Sequence, residues 1–203
     1  TKAQWSAVMN TTPWAGDKPC NRNPNSPAVE ISWEYAQSFI TQLNESEGLD
    51  FALPSEAQWE YACRAGTGTR FHWGDDLEYA KIAEYAWCAP NAWDIEEKFV
   101  HDVGQKQPNP WGLYDMNGNA WEWCQDEWFP SYQNAPVDGT ALKTELGFFK
   151  KLFSRSSKPV HAYRILRGGA FSCAGKYCRS AARYYYGQGN RFETYGFRVV
   201  RTP

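Results

Sequence analysis

Two carboxylates, Asp115 and Glu122, flank the tight run Asn117-Gly118-Asn119 in the stretch GLYDMNGNAWEWCQDEW, residues 112 to 128. Hard oxygen donors of this kind, joined by backbone carbonyls of the turn, suit a cation such as calcium. The same carboxylates can serve the turn itself by accepting its backbone N–H groups, and the residues alone leave both readings open. Cysteines at 20, 63, 88, 124, 173 and 178 are the other reactive groups, an even count but too dilute for a disulfide scaffold. Cys63 reads as a small buried apolar residue. His72, His101 and His161 have no neighbours at metal-ligand spacing, so structural or surface roles are expected.

The elements that must position these groups follow from local pattern. Asn and Gly tolerate the positive φ of a tight turn, so residues 117 to 119 feed a strand with Trp121 and Trp123 on one face and Glu122 on the other. Trp5, Val8 and Met9 predict a short helix at the start, followed by a proline-rich ordered loop over 13 to 28. Ser32 caps a helix whose Trp33, Ala36, Phe39, Ile40 and Leu43 share a face, and Gly48 ends it. Ser55 and Gln58 are spaced as a capping box for a third helix that turns Trp59, Ala62 and Cys63 inward and stops at Gly66. From 67 to 107 the expectation is loop and short strand, anchored by Trp73, Trp87 and Trp93.

A chain of 203 residues can bury one sizeable core, so 1–203 is read as a single domain. Aromatic content of 17%, with 11 Trp, beside 16 Gly and 12 Pro, predicts irregular loops pinned by large side chains. The net charge of −2 gives no electrostatic case for nucleic acid or a membrane surface, and no apolar run is long enough to span a bilayer. No signal peptide is visible, yet the chain starts at Thr1, so both a cytoplasmic and a cell-surface location stay open.

Residues 139–163 read as an insertion. Leu142, Leu146, Phe149 and Phe153 recur at helical spacing among several lysines, which predicts a surface helix packed by its phenylalanines rather than a membrane-facing one. Beyond it, Ile165-Leu166 enters the Gly168-Gly169 break, and Phe197, Val199 and Val200 predict a closing strand. Between them, tyrosines alternate with Ser, Gly and Ala, the composition of an adaptable binding surface.

LPSEAQWEYACRAG (53 to 66), NPWGLYDMNGNAWEWCQDEW (109 to 128), RILRGGAF (164 to 171), CRSAAR (178 to 183) and YGFRVVR (195 to 201) together resemble the formylglycine-generating enzyme/sulfatase-modifying-factor superfamily. The opening TKAQW begins inside that family's usual first motif, so an N-terminal strand of the family is expected to be missing. The resemblance implies an α+β, C-type-lectin-like fold with little regular secondary structure. It also implies calcium held by the side chains of Asp115 and Glu122 and the carbonyls of Gly118 and Ala120.

For activity the resemblance offers two classes. The family's oxidases hold copper(I) on two cysteines and use oxygen to convert a sulfatase cysteine to formylglycine; Cys173 and Cys178 follow the RGG glycines at the matching distances, with Tyr177 lining the groove. Against this, Ala170 stands where those enzymes carry Ser, and Cys178-Arg179-Ser180-Ala181 matches the non-oxidase relatives. No counterpart of the family's first calcium site is evident over 79 to 87. The preferred expectation is therefore a non-catalytic domain that binds a protein or peptide, as retroelement-diversified variable proteins and accessory domains of bacterial signalling proteins do. Its contact residues are expected to be Phe171, Ser172, Cys173, Ala174, Tyr177, Tyr184, Tyr185, Tyr186, Phe192 and Tyr195, on a frame of Trp121, Trp123, Arg167 and Arg198.

Overall fold

Helix starts in this chain are set by side chains that satisfy the orphan backbone donors of the first turn. In the computed structural model, which describes residues 1–16, 22–133, 135–143 and 163–201, Thr1 and Gln4 cap each other reciprocally at the head of α1 (Lys2–Met9). Ser32 Oγ accepts from Tyr35 N at 3.1 Å to open α2 (Trp33–Glu47), which Gly48 closes with φ 63°. Ser55 and Gln58 form the capping box of α3 (Glu56–Arg64). That helix stops on Ala65, in the left-handed region at φ 46°, one residue before the expected Gly66.

A two-residue strand β1 (Phe51–Ala52), the short α4 (Ile82–Tyr85) and 3-10 turns at Ala89–Asn91 and Trp93–Ile95 precede the main sheet. Its strands are β2 (Trp121–Glu127), β3 (Tyr163–Arg167), β4 (Arg183–Gly187) and β5 (Tyr195–Gly196), in the order β4-β3-β2-β5. β3 runs antiparallel to both neighbours and β5 parallel to β2, with a register shift in β2 between Trp123 and Glu127. β6 (Val200–Arg201) returns to pair with β1, so the expected closing strand is split in two.

The period-2 alternation of β2 divides the core. Trp121 and Trp123 face a cluster with Trp5, Ile31 and Phe39, and Trp123 Nε1 donates to Ile31 O at 2.8 Å. Cys124 faces a second cluster with Trp59, Cys63 and Met116, in line with a buried apolar role for Cys63. Much of the rest is pinned by aromatic pairs: Trp73 stacks on Phe71 and on Tyr85, and Trp87 on His101 at 3.7 Å. His72 and His101 are both buried in such packing, while His161 lies outside the described residues. The helix expected around Leu142 to Phe153 also falls outside them from 144 onward. No helix among the described residues is long and apolar enough to cross a membrane.

Candidate functional site

β4 is an edge strand of the four-stranded sheet, and two of its middle residues are exposed while Gly187 at its end is buried. Tyr184 is 38% and Tyr185 40% exposed. Each is held from behind by a tryptophan: Trp121 stacks on Tyr184 at 5.3 Å and Trp128 on Tyr185 at 4.3 Å. Tyr163 meets Tyr185 edge-on at 5.4 Å, and Tyr186 meets Phe192 edge-on at 5.2 Å. A hollow of about 530 Å³ opens over them, lined by Tyr163, Tyr184, Tyr185, Tyr186, Gly187 and Asn190. Phenol rings fixed in this way offer broad apolar area with a hydroxyl at the rim, at small entropy cost.

Residues outside the expected set extend this surface. Arg183 lies between the rings of Trp128 (4.5 Å) and Tyr132 (4.3 Å) while making paired bonds of 2.6 and 2.7 Å to Glu56. The fully buried Arg167 joins the same network through Glu56 and Glu60. Trp128, Tyr132, Tyr163 and Arg183 carry no local signal that joins them; Trp128 N donating to Tyr163 O and the pairing of β3 with both β2 and β4 bring their segments together.

Two expected contact residues prove unavailable. Phe171 has no exposed surface: its N–H donates to Asn119 O at 3.0 Å, and its ring packs under Trp93. Tyr195 is 5% exposed, wedged edge-on against Trp123 and Phe192. Burial pushes its phenol well above the ordinary tyrosine range. Both form the floor of the surface. Ser172, Cys173, Ala174, Tyr177, Tyr184, Tyr185, Tyr186 and Phe192 keep at least partial exposure.

The cysteines are arranged poorly for a copper pair. Cys178 closes the 3-10 turn Gly175–Cys178 with no exposed surface and packs in one buried cluster with Cys88, whereas Cys173 packs against the cluster around Trp121 and Phe171. The neighbouring Cys88 thiol and burial hold it well above the usual thiol range, the reverse of what a thiolate ligand needs. Cys173 is half-buried, and burial raises its thiol as well. The residues present do not fit two exposed copper thiolates.

The carboxylates meet a cation of the chain's own. Arg198 donates from Nε to Glu122 Oε2 (2.6 Å) and from Nη2 to Oε1 (2.7 Å), and Trp59 Nε1 adds a third bond to Oε2 at 2.6 Å. Asp115 Oδ2 accepts from Gly104 N at 2.8 Å, and burial raises its carboxyl. Gly118 O accepts from Ala120 N at 2.9 Å. Asp115, Ala120 and Glu122 do line one end of a largely apolar cavity of about 810 Å³. Even so, three N–H groups already occupy the Glu122 carboxylate, and the set fits a guanidinium better than calcium. Among the described residues, no three His, Cys, Asp or Glu side chains group closely enough to hold a metal ion.

The family model of the sulfatase-modifying factor enzyme 1-like domain matches residues 1–203. The chain belongs to this family. It is 29% identical to the formylglycine-generating enzyme of Bos taurus over 93% of the chain and 47% of the relative, and 32% identical to that of Streptomyces coelicolor over 79% and 48%. The chain thus spans about half the length of these relatives. Among solved structures it superposes on Treponema denticola variable protein 1 with a TM-score of 0.79 at 24% identity, covering 100% of this chain and 82% of that one. The fold of this sulfatase-modifying factor enzyme 1-like domain is therefore the irregular, mixed α/β fold that the motifs implied.

Proposed function

We propose that this chain is a non-catalytic, ligand-binding module of its family, and that its ligand is a protein or peptide held on the tyrosines of β4. The observation carrying this is the pair Tyr184 and Tyr185, exposed on an edge strand over a 530 Å³ hollow while tryptophans fix their rings from below. Rigid tyrosines lose little entropy on contact, and an edge strand offers main-chain groups to an extended segment. The fully buried Cys178 argues in the same direction, since an oxidase of the family needs that thiol as a metal ligand. A fold neighbour named a variable protein supports extending the reading to a retroelement-diversified protein, in which such a surface carries altered residues.

Peptides selected from a phage-displayed library against the wild-type domain provide the probe. Tyr184→Ala with Tyr185→Ala is expected to weaken the selected peptides at least tenfold, with Tyr61→Ala, exposed on α3, as the neutral control. Selected peptides that bind the double variant at wild-type affinity would overturn the assignment of the surface, as would a selection that enriches nothing dependent on those tyrosines.

A further inference from the structure

Backbone hydrogen bonds alternate along an antiparallel ladder, so one fixed bond tells which way each residue of a strand turns its N–H and C=O. Trp128 N donates to Tyr163 O at 2.9 Å, which turns Tyr163 towards β2. Counting along β3, Ile165 and Arg167 also turn towards β2, while Arg164 and Leu166 turn towards β4. Their partners on β4 are Tyr186 and Tyr184, so these two residues bond β3. Tyr185, which pairs with Ile165, is left with its N–H and C=O turned outward from the sheet. The sheet's other edge is closed. β5 is two residues long, Ile31 N donates to Tyr195 O at 3.4 Å, and a Cβ on Gly196 would stand 2.8 Å from Ala28 O. Tyr184-Tyr185-Tyr186 holds no proline, register shift or charge, the devices that usually blunt an edge.

We propose that the ligand is an extended, uncharged peptide segment that joins the sheet as a strand beside β4 and bonds the N–H and C=O of Tyr185, a mode that rests on β4 being the ligand surface. Main-chain pairing supplies affinity in such a complex, and side chains of the added strand alternate between the two faces of the sheet. One face is set by Tyr184 and Tyr186, whose stacked rings lie 6.4 Å apart, and the other by Tyr185 with Tyr163 edge-on at 5.4 Å. Apolar or aromatic residues fit both. Among the described residues, the lining of the hollow over β4 carries no charged side chain. Arg183, the cation at the start of the strand, already has its two bonds to Glu56. A charged residue of the ligand would therefore lose water there without gaining a counter-ion. The ligand must also supply an N–H to the Tyr185 carbonyl, which excludes proline at that residue and sets the strand apart from a polyproline helix, the other backbone that aromatic grooves accept.

For the test, peptides enriched from a phage-displayed library on the wild-type chain are resynthesised with one residue at a time N-methylated, which removes a single N–H and keeps the side chain. Affinity is expected to fall at least about tenfold at the residue facing the Tyr185 carbonyl and to change less than about twofold at its two neighbours, whose N–H groups point away from β4. In the same complexes, hydrogen exchange at the Tyr185 amide should slow at least about tenfold, with little change at Tyr184 and Tyr186, which β3 already protects. Peptides that need Tyr184 and Tyr185 yet tolerate N-methylation at every residue, or that are proline-rich, overturn the added strand and leave the peptide surface standing. A Tyr185 amide protected without peptide, in a dimer seen by sedimentation, gives the edge to a second copy of the chain and also overturns the proposal. Enrichment of nothing that needs those tyrosines overturns the surface and the strand together.

Discussion

Arg198 and Glu122 are joined by two parallel hydrogen bonds of 2.6 and 2.7 Å, and this pair is the charged hinge between β2 and the C-terminal segment. Glu122 is 8% exposed, and Arg198 and Trp59 surround its carboxylate with donors. Arg198→Met leaves that carboxylate without its partner, which is expected to cost about 2–4 kcal/mol by urea unfolding, somewhat under the fully buried case. The double variant Glu122→Gln/Arg198→Met should recover at least half of the loss. If the single and double variants were equally unstable, the pair's role would be packing rather than charge.

Calcium follows from the same pair. With Arg198 in place, 1 mM calcium is expected to move the thermal midpoint of the wild-type chain by less than about 1 °C. Arg198→Met exposes the Glu122 oxygens beside the Asp115 carboxyl, and there calcium should raise the midpoint measurably; adding Asp115→Asn should abolish that response. A wild-type rise of several degrees would mean that the ion competes successfully with the guanidinium.

Gly118 is fixed by space as much as by torsion. At φ +81°, a Cβ there would stand 2.2 Å from Trp87 O, because Asn119 N donates to that carbonyl at 2.8 Å and draws the two backbones together. Gly118→Ala is therefore expected to lose about 3–5 kcal/mol, or to yield little soluble protein. Gly112→Ala isolates the torsional part: its φ is +77° with nothing within 4 Å, so the cost should be only about 1 kcal/mol. Similar urea midpoints for the two variants would show that the chain relaxes around Trp87.

Features decided within a few residues were legible in the sequence. The caps at Ser32 and at Ser55 with Gln58 need only a hydroxyl or an amide at fixed spacing from an apolar stripe. The opposed faces of Trp121 and Glu122 follow from the pleat alone. What was illegible is what distant segments do to each other. Composition marked Phe171 and Tyr195 as contact residues because nothing local distinguishes an aromatic ring on a surface from one beneath it. Arg198 gave no spacing signal toward Glu122, since the two meet only once the sheet has formed. Tyr184 and Tyr185 are exposed, but their support by Trp121 and Trp128 depends on β3 lying between β2 and β4.

His72 should make stability depend on acid. Its ring is 8% exposed and packed edge-on against Trp73 at 4.8 Å and Tyr85 at 5.2 Å, and burial lowers its pKa from 6.5 to about 4. The folded protein holds the imidazole neutral, whereas the unfolded chain takes up a proton below pH 6.5. Unfolding therefore binds protons between those two values, and stability falls as the pH drops from about 6.5 towards 4 and levels off below. Between pH 7 and pH 4.5 this one group should account for about 2 kcal/mol of lost stability. His72→Phe keeps the packing and removes the proton site. Urea unfolding at pH 7, 5.5 and 4.5 is then expected to show the wild type losing that much more than the variant across the series. Parallel losses in the two proteins would place the acid sensitivity in other groups and His72 in a better solvated position than its packing implies.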